Sequence, residues 1–139
     1  MIKSKRSEYD EQVAVFQWAA LHENQYPDLF LLTGSIMGGT KILPGILNKM
    51  QKAGMKKGKP DIHLPIARGG YIGLWIELKR RGGPGPSDDQ IRWLIRLGQA
   101  GHLAVCCKGS DAAIRVILQY VSGKLQKGES HDGIQTKNL

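Results

Sequence analysis

GKPDIHLPIARGGYIGLWIELK, residues 58–79, is the stretch from which the fold is predicted. Two runs with the composition of strands, residues 61–66 and 71–79, are joined by the turn Arg68-Gly69-Gly70. Pro60 cannot donate a hydrogen bond to a β-ladder, so it marks the entrance of the first strand. The stretch therefore predicts a β-hairpin that begins directly after this proline.

Glu77 and Lys79 lie at the end of the second predicted strand. Because side chains of a strand alternate between its two faces, these two share one face. Counting back from the turn brings Asp61 to the same end of the sheet. Charged side chains are costly in a buried strand unless they have partners or a task. The opposite face is apolar throughout and carries Ile72, Leu74, Ile76 and Leu78.

Asp61, Glu77 and Lys79 together have the composition of a phosphodiester-hydrolysing site. Two carboxylates a few ångströms apart repel each other unless a cation lies between them. Oxygen ligands favour Mg²⁺ or Mn²⁺, which can stabilise charge on a phosphoryl oxygen. A nearby lysine can orient or deprotonate the attacking water. The alternative is a structural Glu77–Lys79 ion pair beside an aspartate that merely starts a strand.

The other segments carry ordinary helix and strand signals. Ser7 with Asp10 resembles a capping box that opens a first helix, and Ser87 and Ser110 are placed to cap two later helices. The helix after Ser87 is predicted to end at about 99, and the helix after Ser110 at about 123. Further predicted elements are a strand at 29–32, a glycine-rich loop at 34–45, a helix at 46–53 and a strand at 102–107. This order predicts an α/β fold, a mixed β-sheet with helices on both faces.

Composition points to one compact domain with a polyanionic partner. The 139 residues carry a formal net charge of +8. The length and the polar C-terminal sequence predict one domain at 1–123 and a polar, flexible tail at 124–139. No apolar run approaches the roughly 20 residues needed to cross a bilayer. Cys106 and Cys107 are neighbours and poorly placed to bridge each other, so a cytoplasmic location is predicted. Between Asp28 and Asp61 the only charged residues are Lys41, Lys49, Lys52, Lys56, Lys57 and Lys59.

These motifs resemble those of a known family. Pro60-Asp61 with Glu77-Leu78-Lys79 resembles the PD-(D/E)xK nuclease signature, and the chain more narrowly resembles the virus-type replication-repair nuclease (VRR-NUC) family. The resemblance implies a restriction-endonuclease-like fold and metal-dependent cleavage of DNA, and standalone members often come from phages. The matching pieces lie between about residues 8 and 121 and are Glu11-Gln12, residues 58–61, residues 73–79, Ser87 with Gln90, and Gly101-His102.

The resemblance also implies roles for individual residues. Asp61 and Glu77 are expected to bind Mg²⁺ or Mn²⁺ together with the backbone carbonyl of Leu78, and Lys79 to act on the attacking water. The residues expected to hold the phosphate backbone are Lys41, Lys56, Lys57, Lys59, Arg80 and Arg81.

Two polar helix residues extend this set. The resemblance implies a first-helix carboxylate near the metal. Glu11 shares a helical face with buried positions and is preferred to Glu8, which is explained as an acid that favours the helix dipole. Gln90 heads an apolar helix face and is either a rim residue or a site residue that binds water or phosphate. His63 is interpreted as a structural residue, and the three tryptophans Trp18, Trp75 and Trp93 are interpreted as core residues.

The expected substrate is DNA, in particular branched DNA, and the expected assembly is a homodimer with two active sites. Two alternatives remain: a non-catalytic DNA-binding module on the same fold, and a flap or nicking nuclease in place of a junction resolvase. The dimer interface is predicted at the 34–45 loop and its apolar neighbours, Ile36, Met37, Ile42, Leu43, Ile46 and Leu47.

Overall fold

The structure is a computed structural model that describes residues 5–35, 42–131 and 134. Its helices are α1 (Glu8–His22), α2 (Pro44–Lys52), α3 (Asp88–Gln99) and α4 (Ser110–Val121). Its strands are β1 (Thr33–Gly34), β2 (Ile62–Leu64), β3 (Leu74–Lys79) and β4 (Leu103–Lys108). In the described part of the chain, no helix has the length and apolar character needed to cross a membrane.

The four strands form one mixed sheet in the order β1-β2-β3-β4. The β1–β2 and β2–β3 pairs are antiparallel, and β3 pairs with β4 in parallel. Helices α1 and α4 pack on each other and on the sheet, where Val15, Val105 and Ile117 join one buried core. Ala104 of β4 and Leu94 of α3 are buried outside that core, because α3 covers the other face. The predicted α/β fold with helices on both faces is confirmed.

Residues 29–32 are not the strand that the sequence predicts. Pro27–Leu31 is a 3₁₀-helix with the proline in its first turn, and the strand begins only at Thr33. Leu29 and Leu32, three residues apart, are both buried in the core. A spacing of three matches the 3₁₀ turn, so the apolar run serves one face of a short helix.

Two of the three predicted helix caps are confirmed. Ser7 with Asp10 and Ser87 with Gln90 form reciprocal capping boxes on α1 and α3. Ser110 does not cap α4: Gly109 is the N-cap at φ +86°, and Ser110 is the first helical residue. Glycine tolerates this φ, and the orphan amide of α4 is satisfied from another helix, as described below.

The domain continues past its predicted end at residue 123. Leu125 is buried in the core, and the Lys127 N–H donates to the carbonyl of Gly69 at 2.8 Å. A Cβ at Gly69 would lie 2.0 Å from the Leu125 carbonyl oxygen, so the hairpin turn accommodates this segment only through its glycine. The prediction of a flexible tail from residue 124 is therefore wrong at its start, because Leu125 is an apolar core residue.

Only one of the three tryptophans that the sequence predicts as core residues packs against the core. Trp18 packs against the core, whereas Trp75 and Trp93 are half-buried and lie outside it. The ring of Trp75 stacks on His63 with centroids 3.7 Å apart, on the face of the sheet that also carries Glu77. Of the residues predicted for DNA contact or for the dimer interface, Ile36, Met37 and Lys41 lie outside the described residues.

Candidate active site

The candidate site begins where the ladder between β2 and β3 stops. The register pairs Ile62 with Ile76, so Pro60, two residues earlier, lies opposite Leu78. Pro60 has no N–H, and it cannot donate to the Leu78 carbonyl. The N–H of Leu78 instead donates to Asp61 Oδ2 at 2.8 Å. Asp61 is therefore anchored to β3 by its side chain, and the neighbouring carbonyl of Leu78 receives no ladder bond from Pro60.

Glu77 and Lys79 lie beside this break, as the sequence predicts. Lys79 Nζ is 3.7 Å from Glu77 Oε1 and 3.7 Å from Glu8 Oε1. The side chains of Glu77 and Lys79 are buried, with 1% and 7% of each residue exposed. The structure therefore brings together the three predicted residues, and it adds Glu8 from the first turn of α1.

The charge of Asp61 opposes the ionisation of Glu77. Burial, and then the charge of Asp61, raise the pKa of Glu77 to about 9. Burial also raises the pKa of Asp61, against the lowering effect of the Leu78 N–H. Glu77 Oε2 is buried and has no hydrogen-bond partner in the described chain. At neutral pH this pair retains a proton unless another positive charge takes its place.

These residues suit a hard divalent cation. Within residues 5–35, 42–131 and 134, no group of three or more His, Cys, Asp or Glu side chains converges as a metal site. Mg²⁺, however, is usually held by one or two carboxylates, with water and substrate phosphate completing its shell. Asp61, Glu77 with its unpartnered Oε2, and the Leu78 carbonyl would be its protein ligands.

Glu11 occupies a different position from the one predicted for it. Its fully buried carboxylate accepts a hydrogen bond from the Ser110 N–H, the orphan amide of α4. Its other oxygen lies 3.9 Å from Arg81 Nε and 3.8 Å from Arg6 Nη1. Glu11 thus caps α4, and Glu8 is the α1 carboxylate beside Lys79. The preference for Glu11 over Glu8 is not supported, because the burial of a helix face does not reveal which neighbour covers it.

Replacing Glu11 tests whether it caps α4 or binds metal. Glu11→Ala is expected to lower the free energy of unfolding by about 2 kcal/mol, because a charge-assisted bond to a buried amide is lost. Urea denaturation measures this loss. Glu129→Ala, which removes an exposed carboxylate, is the control and should change stability by less than about 0.5 kcal/mol. Unchanged stability combined with lost Mn²⁺ affinity would restore Glu11 as a ligand.

Gln90 is also engaged in a helix cap. Its Oε1 accepts the Ser87 N–H at 2.8 Å, while its own N–H donates to Ser87 Oγ at 3.3 Å. The structure therefore does not support a role for this side chain in the candidate site. The pattern of serine followed three residues later by glutamine is itself the signal of a capping box.

Comparison with known proteins places the chain in a family. No family model and no curated protein sequence matches it. A solved structure named "VRR_NUC domain protein" matches with a TM-score of 0.73 and 30% sequence identity. The match covers 94% of this chain and 99% of that protein. The chain belongs to the VRR-NUC family. The family that the Pro60-Asp61 and Glu77-Leu78-Lys79 motifs predicted is thus confirmed.

The predicted DNA-contacting residues of this VRR-NUC domain lie in two groups. Arg80, together with Lys5, Arg6, Ser7 and Glu8, lines a pocket of about 490 Å³ next to the carboxylates. Arg81 is held by Asp111 at 3.0 Å. The second group precedes Asp61 in the chain, and its members Lys56, Lys57 and Lys59 are all exposed. Both groups flank the candidate site in sequence, one before β2 and one after β3.

Proposed function

We propose that this VRR-NUC domain is a divalent-metal-dependent endonuclease that hydrolyses phosphodiester bonds in DNA. The observation that carries the proposal is the buried Glu77 beside the half-buried Asp61, with Lys79 at 3.7 Å from Glu77. A buried acid next to a second carboxyl group is unfavourable for folding by itself, which is typical of groups kept for a task. A structural Glu77–Lys79 ion pair alone would not need Asp61 or an unpartnered Glu77 Oε2.

Each residue of the site has a separate part in the proposal. Asp61 and Glu77 hold Mg²⁺ or Mn²⁺ with the Leu78 carbonyl, and the ion supplies electrostatic stabilisation of charge on the phosphate. Lys79 orients the attacking water and stabilises negative charge. Glu8 lies 3.7 Å from Lys79 Nζ, so its carboxylate fixes the position of that ammonium group. Arg80, Lys56, Lys57 and Lys59 bind the DNA backbone.

A cleavage assay on defined DNA shapes tests the proposal. Labelled linear, flapped, splayed and four-way DNA are incubated with the purified protein, with and without Mn²⁺. We expect cutting only with the metal, and most rapid cutting of the four-way junction. Asp61→Asn protein, purified in parallel, controls for contaminating nucleases. Cutting confined to flaps would replace the junction preference, and binding without cutting would favour a non-catalytic DNA-binding module.

The preference for branched DNA rests on a proposed homodimer. A four-way junction has approximate twofold symmetry, so two related sites can cut matching strands. Helix α2 has no buried residue, and Leu43 and Ile46 beside and within it are 69% and 51% exposed. Exposed apolar residues next to each other are typical of an interaction surface. We therefore keep this segment as the proposed dimer interface.

Light scattering at micromolar concentration should give twice the 15.3 kDa mass of the chain. The double variant Leu43→Glu with Ile46→Glu should give the single-chain mass, because two carboxylates would have to be buried at the interface. Leu21→Glu is the matched control, since Leu21 is 82% exposed on α1. A wild-type protein that is monomeric under these conditions would contradict the dimer and remove the main argument for a four-way junction.

A further inference from the structure

A second pocket lies between α3 and the segment that precedes Asp61. Its volume is about 430 Å³, within the range of roughly 300–1,000 Å³ that small-ligand sites occupy. Arg92 and Arg96 are four residues apart on α3 and therefore share one helical face. We call this second pocket the Trp93 pocket. Its lining residues are Lys56, Lys57, Asp89, Arg92, Trp93 and Arg96.

The charge of the Trp93 pocket favours an anion. It has four cationic side chains and one carboxylate, and that carboxylate, on Asp89, already lies 3.7 Å from Lys57 Nζ. Lys56, Arg92 and Arg96 are exposed and have no salt-bridge partner among the described residues. The cations that remain available could bind two adjacent phosphates.

Trp93 gives the pocket an aromatic wall. Its indole N–H donates to the Lys57 carbonyl at 3.0 Å, which fixes the orientation of the ring and uses its only polar group. The part of the ring that a ligand can reach therefore offers apolar π surface. Aromatic side chains beside cationic ones are typical of sites for unpaired nucleotides, where a base stacks while its phosphates are bound.

The pocket is close to the candidate active site. Lys57 precedes Asp61 by four residues, which limits their Cα separation to about 14 Å. A stacked DNA strand advances about 3.4 Å per nucleotide, so Lys57 and Asp61 lie within the length of roughly four nucleotides. Gly58 also fits closely on α3: a Cβ there would be 2.8 Å from the backbone of Asp89. The pocket is thus joined rigidly to the chain that carries Asp61.

We propose that the Trp93 pocket binds an unpaired nucleotide of the DNA substrate, with its base stacked on Trp93 and its phosphates held by Lys56, Arg92 and Arg96. The proposal rests on the proposed function for the identity of its ligand, and it requires an unpaired nucleotide near the cut, which a four-way junction supplies when a base pair opens at its branch point. It does not depend on cleavage, because stacking and phosphate binding need no metal.

Equilibrium binding without divalent metal tests the proposal. The probes are a labelled splayed duplex with oligothymidine arms and a blunt duplex of equal length. Trp93→Ala is expected to weaken binding of the splayed probe about ten-fold, as loss of one stacked base requires, and to change blunt-duplex binding less than two-fold. Trp93→Phe should restore most of the affinity, since phenylalanine also stacks. This rescue separates stacking from a folding defect in the alanine variant.

Two further measurements sharpen the test. Oligothymidine should quench the intrinsic fluorescence of the wild type, and Trp93→Phe should lose that quenching although Trp18 and Trp75 remain. Arg92→Gln with Arg96→Gln should reduce the salt dependence of oligothymidine binding by about 1.4 in the log–log slope, the value for two lost contacts to a single strand. Lys49→Gln with Lys52→Gln, which changes two exposed residues outside the pocket, is the matched control.

The outcomes separate this inference from the proposed function. Equal losses on both probes would make the pocket a general phosphate-binding surface and overturn the stacking, as would unchanged binding by Trp93→Ala. A protein that cuts no DNA but discriminates the splayed probe through Trp93 would overturn the nuclease and keep the pocket. A nuclease indifferent to Trp93 would give the opposite result.

Discussion

Asp61→Asn and Glu77→Gln are each expected to slow DNA cleavage about a thousand-fold while leaving DNA affinity equal or slightly higher. Each variant keeps the shape of the side chain but removes a negatively charged metal ligand. The rate falls because charge on the phosphate is no longer stabilised. Without metal, the lost charge of Asp61 favours binding of the polyanion, whereas Glu77 is already protonated at neutral pH and its replacement should leave the affinity equal. Single-turnover cleavage and metal-free binding of the same labelled DNA measure the two effects. Robust cutting by either variant would contradict the site.

Titration calorimetry gives the same prediction a readout other than activity. Since the pKa of Glu77 is raised from 4.5 to about 9, the free site is protonated at neutral pH. Mn²⁺ binding should therefore release about one proton at pH 7.5, and its affinity should rise with pH by up to about ten-fold per unit until pH 9. Calorimetry in buffers of different ionisation enthalpy measures the release. Binding without proton release would contradict the raised pKa.

The free energy of unfolding of the metal-free protein should change with pH in the opposite direction to its metal affinity. Without metal, the native state binds more protons than the unfolded state between pH 4.5 and about 9, so the free energy of unfolding falls as pH rises through that window. Glu77→Gln cannot ionise and should flatten this fall. Metal binding and folding of the apo-protein therefore favour opposite ends of the same pH range.

Lys79→Ala is expected to remove most of the cleavage rate, about a hundred-fold or more, and to retain metal binding. The ammonium group is not a ligand, but it lies 3.7 Å from Glu77 Oε1 and lowers the pKa of both Asp61 and Glu77. Its loss raises the pKa of each carboxyl further, so metal binding must be compared above pH 9. Calorimetry at that pH is the measurement. Loss of Mn²⁺ affinity together with the activity would mean that Lys79 holds the site together and does not act on water.

The parts that could be predicted are those whose cause is local. The Arg68-Gly69-Gly70 turn and the alternation along residues 71–79 are short-range signals. They were sufficient to predict that Asp61, Glu77 and Lys79 lie close together. The short-range pattern at 29–32 was ambiguous, because four apolar residues suit a strand or a 3₁₀ turn. The proline at 27, which begins the 3₁₀-helix, was the evidence against a strand.

The parts that could not be predicted depend on how distant elements dock. Whether Glu8 or Glu11 reaches the site is decided by α4, whose first amide lies 99 residues from Glu11 in sequence. Trp93 has the spacing of a core residue. Its ring is instead held beside a pocket by the hydrogen bond that its indole N–H donates to the Lys57 carbonyl. Leu125 is an apolar residue in a mostly polar tail, and its burial depends on the fit at Gly69.

Because the Leu78 N–H donates to Asp61 Oδ2, exchange of this backbone amide depends on whether the Asp61 side chain is in place. A ladder amide is freed only when two strands separate, but this one is freed whenever a single carboxylate turns away. Its hydrogen–deuterium exchange therefore reports how often the reactive end of the hairpin is disassembled, on a timescale separate from unfolding of the sheet. A cation that draws Asp61 into its coordination shell would alter that lifetime first, before any other amide of the strand responds.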